Sequence, residues 1–96
     1  EELPLSMVLG IARQKLGIEL TYSERQAAFE ITNLEPHSAA EKLGLRRGDF
    51  LLAINGVQLN SSEDLRRAVA RLRALQRALI VVQRGAAQGH LALPLL

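Results

Sequence analysis

The sequence predicts a mainly β fold with two to three helices, arranged as a small, partly open barrel or sandwich. Three observations predict it. Apolar and polar residues alternate over several short segments, the period of half-buried strands. One long stretch, opening at Ser61, repeats apolar residues at helical spacing on a polar background. Gly, Pro and Asn-Gly punctuation cuts the rest of the chain into short elements. Strands gathered around few helices pack as a small barrel that those helices cap.

Residues 3–15 read as a helix, with Pro4 near its start, then Leu5, Met7, Val8, Leu9, Ile11 and Ala12. Proline is tolerated in a first turn, whereas Gly10 weakens the helix by about 1 kcal/mol relative to Ala. Residues 17–22 read as a strand, with Ile18, Leu20 and Tyr22 alternating against Glu19 and Thr21. After the polar connection from Ser23 to Gln26, residues 27–34 form a second strand, with Phe29 and Ile31 opposite Glu30 and Thr32. Leu34 breaks that parity, so a bulge is expected near Asn33. Pro36 ends the strand, Ser38 caps a short helix from Ala39 to Leu43, and Gly44 suits the left-handed position after it.

Gly48-Asp49 is a turn, and Phe50 to Ile54 is apolar enough for a strand buried on both faces. Asn55-Gly56 signals a two-residue hairpin, because both central positions of a type I′ turn need positive φ. Val57 to Leu59 return from it. Ser61 then opens the best-defined helix, its hydroxyl available to a first-turn amide and Glu63 and Asp64 suited to the positive end of the dipole. At about 100° per residue, Leu65, Ala68, Val69, Leu72 and Leu75 fall within about one third of the circumference, and Arg66, Arg67, Arg71 and Arg73 fall outside it. Ala78 to Val82 form a strand, Gly85 to Gly89 a loop, and Leu91 to Leu95 a closing strand with Pro94 at the sheet edge.

The 96 residues make one domain or a fragment holding one, with 48% apolar and 23% charged residues. A chain of this size buries about 60–65% of its extended-state surface, enough for one small core and little for a large enclosed pocket. The absence of cysteine excludes disulfides, thiolate nucleophiles and Cys-ligated metal. No apolar run of about 18 residues spans a membrane, and no basic-then-apolar start marks a signal peptide. A start at Glu1 rather than Met is expected of a piece cut from a longer chain.

The net charge is +2, with Arg66, Arg67, Arg71, Arg73 and Arg77 grouped in one stretch. A solvated helix surface is favoured there over a nucleic-acid face, since stacking aromatics are missing. His37 and His90 lack further ligands at metal-binding spacing and are expected on the surface. No Gly-x-Ser-x-Gly elbow is present, and Asp49 and Asp64 have turn and capping roles. The expectation is a chain without catalytic residues, metal or cofactor.

The stretch from Phe29 to Ala40 (FEITNLEPHSAA), then Gly44-Leu45-Arg46-Arg47-Gly48-Asp49, Leu51, Leu52, Ile54, Asn55-Gly56 and Ser62-Glu63-Asp64-Leu65, resembles PDZ domains, most closely the bacterial type attached to HtrA/Deg serine proteases. The resemblance covers residues 16–95. It implies a PDZ-like domain over 16–96 in the circularly shifted bacterial topology, preceded by a helix or connection at 1–15. The sequence departs from the family at His37-Ser38-Ala39, where Gly-Ser-Pro is frequent, and at Arg47, where Pro is frequent.

By that resemblance, the ligand is the C-terminus of another polypeptide, added as a strand. Leu16-Gly17-Ile18 matches the apolar-Gly-apolar loop that holds the terminal carboxylate through backbone amides. Leu9-Gly10-Ile11 is a rival match, but the strand follows Gly17 directly. Adjacent amides around a Gly can converge on one anion. The peptide groove then comprises Glu19, Leu20, Thr21, Tyr22, Leu65, Val69 and Leu72, and Arg13 and Lys15 are placed to assist the carboxylate. An aliphatic groove implies small or medium apolar termini, from unfolded or partner proteins.

The implied role is to regulate or feed a serine protease on the parent chain, in the bacterial periplasm or cell envelope. Two other readings stay open. One is a structural or assembly module whose groove is filled by its own N-terminal helix or, through self-association, by a neighbouring copy. The other is a nucleic-acid or membrane-surface binder using Arg66 to Arg77; no nucleic acid is expected, and membrane contact is expected only through the parent chain.

Overall fold

The computed structural model describes residues 3–95. The expected segments 1–15 and 16–96 therefore reach outside the described residues at Glu1, Glu2 and Leu96. The elements run α1 (Leu5–Leu16), β1 (Ile18–Ser23), β2 (Ala28–Leu34), α2 (Ala39–Lys42), β3 (Phe50–Ile54), β4 (Val57–Gln58), α3 (Ser62–Leu72), β5 (Arg77–Arg84) and β6 (Ala87–Pro94). The fold is mainly β: one open six-stranded sheet in the order β1-β2-β3-β5-β6, with β4 paired to β3. All the pairings are antiparallel. β1 and β6 are the edges and do not meet, so the sheet stays open.

Local chemistry accounts for most boundaries. Asn55 and Gly56 take φ of 50° and 84°, the positive pair a type I′ hairpin demands. The Ser38 hydroxyl accepts from the Glu41 amide, and the Glu41 carboxylate accepts from the His37 amide, so two open donors at the start of α2 are satisfied. In the β1–β2 pair, Glu19 faces Asn33 while Leu20 faces Ile31. Thr32 is therefore the extra residue, one position from the expected bulge. The Tyr22 and Phe29 rings meet edge-on across this pair, with centroids 5.1 Å apart.

Three expectations are corrected. α3 ends at Leu72, so Leu75 lies beyond the buried arc and is 41% exposed. β5 extends to Arg77–Arg84 rather than Ala78 to Val82. β6 starts at Ala87, because Gly85-Ala86 alone turns the hairpin and Arg84 already pairs with Ala87. Pro94 closes β6 on the sheet edge, where its missing N–H leaves no ladder bond unmade.

One core fills the space between sheet and helices, including Phe29, Ile31, Leu51, Ile54, Leu65, Leu72, Ile80 and Leu93. α1 contributes Val8, Ala12 and Leu16 to the same core. Asp49 is buried but fully engaged. Arg84 donates to both of its oxygens at 2.8 Å and to the Gly44 carbonyl at 2.8 Å, and the Arg46 amide adds a bond at 3.0 Å. The bonds from Arg84 hold the Asp49 carboxyl below the usual carboxylate range, against the opposing effect of burial. This staple ties the turn before β3 to the end of β5.

Candidate functional site

β1 is an edge strand paired only with β2, so one side of its backbone is left without a strand partner. Ile18 and Leu20 turn their side chains into the core, while Thr21 is exposed and Glu19 and Tyr22 are half-buried. Near the far end of this strand starts α3. Ser61 caps it by accepting from the Asp64 amide at 3.3 Å, and Asp64 accepts in return from the Asn60 amide at 3.0 Å. Its apolar face is Leu65, Ala68, Val69 and Leu72. The Tyr22 hydroxyl donates to the Asn60 carbonyl at 3.0 Å and so bridges the far end of β1 to the start of α3.

α1 packs against both β1 and α3. The Arg66 guanidinium at the start of the second turn of α3 donates to the Leu3 carbonyl at 2.8 Å, just ahead of α1. From there α1 runs to Gly17, a single residue that reverses the chain into β1. Leu65, Val69 and Leu72 are no more than 1% exposed, although half-buried positions are what an open groove wall would show. Leu16 and Ile18 are also buried.

Gly17 has φ 74° and ψ 23°, the left-handed cap of α1. Its amide donates to the Arg13 carbonyl and its carbonyl accepts from the Glu35 amide, both at 2.9 Å. A Cβ at Gly17 would lie 2.8 Å from that of Ser38. The position thus requires glycine twice, for its φ and for the approach of the loop before α2. The end of α1 also directs carbonyls, the negative pole of its dipole, at this turn.

Leu16 and Gly17 lead directly into β1, which Ile18 opens and Leu20 continues towards Tyr22. Arg13 is ion-paired with Glu35 and lies 3.7 Å from Glu19. The hydrogen bond to Glu35 raises the Arg13 pKa above its ordinary value. That cation therefore ties α1 to β1 and to the segment after β2. Lys15 is half-buried in the last turn of α1. Glu35, Ser38, Val8 and Ala12 are the participants that sequence reasoning missed. The spacing of Val8, Ala12 and Leu16, four residues apart, was the available signal: it puts one apolar stripe along α1 in line with the loop.

Three comparisons bear on this geometry. The family model described as PDZ domain matches residues 30–84. A curated relative, the probable periplasmic serine protease do/HhoA-like of Haemophilus influenzae, is 37% identical over 67 residues, which are 66% of this chain and 14% of that protein. Among solved structures, the HtrA-type protease AlgW with decapeptide superposes with a TM-score of 0.70 at 22% identity, over 85% of this chain and 29% of that one. The PDZ domain of pullulanase C protein of the type II secretion system from Klebsiella pneumoniae, in complex with fatty acid, gives 0.72 at 20% identity, over 95% and 99%.

Proposed function

We propose that this chain, which belongs to the PDZ domain family, captures the free, apolar C-terminus of another polypeptide as a strand added to β1. The observation that carries the reading is the outer edge of β1, which has no strand partner. Main-chain pairing along such an edge supplies affinity independent of sequence, and pockets for alternate side chains supply preference. Leu16-Gly17-Ile18 is the carboxylate loop in this reading. Glu19, Leu20, Thr21 and Tyr22 form the pairing strand, and Leu65, Val69 and Leu72 form the opposite wall. Arg13 and Lys15 supply positive charge behind the loop.

A PDZ domain is a non-catalytic module. The matched relative is by name a periplasmic serine protease, and this chain spans only 14% of it. The proposed role is to regulate or feed a protease carried elsewhere on the parent chain, in the cell envelope. A decapeptide accompanies AlgW by its description, which supports a peptide partner for this fold.

The test is binding of peptides that differ only at their last group. A free apolar terminus is expected to bind with micromolar affinity, and amidation is expected to weaken it at least tenfold, because the loop then loses its anion. Equal binding of both forms overturns the carboxylate-loop assignment. One observation favours a second reading: the burial of Leu65, Val69 and Leu72 with α1 packed on α3 also suits a structural module whose groove is permanently filled. Such a module binds neither form.

A further inference from the structure

We infer that α1 is a displaceable internal occupant of the groove between β1 and α3, competing with the incoming C-terminus for the same apolar walls and the same Gly17 turn. This rests on the strand-capture reading and adds its regulation.

The walls carry the first part of the case. Leu65, Val69, Leu72 and Ile18 are closed to water, and α1 is the element packed on both sides. Val8, Ala12 and Leu16 form its buried face. Burying that face removes the surface on which a ligand's apolar side chains would dock.

The turn carries the second part. With α1 formed, the Gly17 amide points back to the Arg13 carbonyl, and the helix presents its negative pole. Holding a carboxylate requires amides directed outwards from the same turn. The Gly17 amide cannot do both, so a terminus held by it breaks the closing bond of α1 to Arg13.

The build of α1 carries the third. Pro4 at its N-cap offers no side-chain bond, and its first turn has no acidic residue. Gly10 sits in its middle, exposed, with open space where a Cβ would be. An isolated helix of fewer than about 12–15 residues is marginal in water. Docking therefore keeps α1 helical. The Arg13 ties to Glu35 and Glu19 are exposed ion pairs, a weak class of restraint.

The experiment is fluorescence anisotropy on the 96-residue chain with a labelled decapeptide ending in Leu-Val-Val, free and amidated. Gly10→Ala strengthens α1 without adding a contact and is expected to raise the Kd of the free peptide about three- to fivefold. Val8→Asp places a charge on the docked face and is expected to lower Kd about tenfold or more. Thermal unfolding checks that this variant still folds; if it does not, Gly10→Ala decides alone. Hydrogen exchange adds a direct readout: saturating peptide strips protection from α1 amides and leaves β5 and β6 protected. Suppose the free peptide binds, amidation weakens it, the folded variants keep Kd within about twofold of wild type, and α1 stays protected. The occupant is then wrong and strand capture stands. Absence of binding to wild type and to folded Val8→Asp overturns capture, and the occupant with it.

Discussion

α1 and α3 pack on one another and are nearly equal in length, 12 and 11 residues, yet local sequence supports only one of them. α3 has a Ser61 cap, two acidic residues in its first turn and a clean division between apolar and arginine-rich faces. α1 has none of the first two and carries Gly10. Both bury three or more side chains in the shared core. The difference teaches that burial alone does not make two helices equivalent. α3 would persist if its neighbour left, whereas α1 depends on staying docked.

The largest expected separation comes from truncating matched core positions. Leu72→Ala on α3 should lower global stability by about 2–5 kcal/mol. Val8→Ala on α1 should cost about 1–2 kcal/mol, with the loss capped by the docking energy of α1. Denaturant titration with exchange at α1 and α3 amides checks this; equal costs, with α1 protected as strongly as α3, would erase the contrast.

Next is Gly17→Ala. The left-handed φ and the approach to Ser38 together are expected to cost about 1–3 kcal/mol. Adding Ser38→Gly should recover the steric part and leave the φ part. If the double variant recovers nothing, Ser38 is not the obstruction.

Smaller is the cap. Ser61→Ala should cost about 1 kcal/mol, because the Asp64 amide loses its acceptor. Ser6→Ala, exposed on the first turn of α1, should stay within about 0.5 kcal/mol. A thermal melt of each variant separates them.

The smallest effect near neutrality is that of pH. Asp49 has a folded pKa below its unfolded value near 3.9, so its contribution is fully present above that value. It is lost as pH falls through the lower, folded value. Melting temperature should therefore be insensitive to Asp49 from about pH 5 to 8 and fall in stronger acid. Arg84→Ala should flatten that acid limb. Because the staple lies apart from both helices, α1 and α3 should lose protection together there, in contrast to the peptide-driven release of α1 alone.

Much of this was legible where the cause is local. Phe50 to Ile54, the Asn55-Gly56 turn and the Ser61 cap follow from side-chain chemistry within a few residues. β6 was read four residues short because Ala87 to His90 lie along an edge and show no apolar alternation. Leu75 fits the helical period, but the helix stops before reaching it. At the site, the Leu16-Gly17-Ile18 triplet and the face of α3 could be read from spacing. What could not be read was the packing around Gly17, because Ser38, which crowds its Cβ position, and Glu35, whose amide bonds its carbonyl, come from far along the chain. The ties of Arg13 to Glu35 and Glu19 were hidden for the same reason.

Gly17 joins α1 to β1 without a linker, and that has a kinetic and concentration-related consequence. A tethered occupant rebinds as an intramolecular event, at an effective concentration on the order of millimolar for a short connection. A free polypeptide end at micromolar abundance starts about a thousandfold behind. It can win only if the tethered segment is intrinsically poor at its task. A helix with no side-chain N-cap and a glycine at its middle meets that condition, and the threshold at which the module responds is then set by how badly α1 folds.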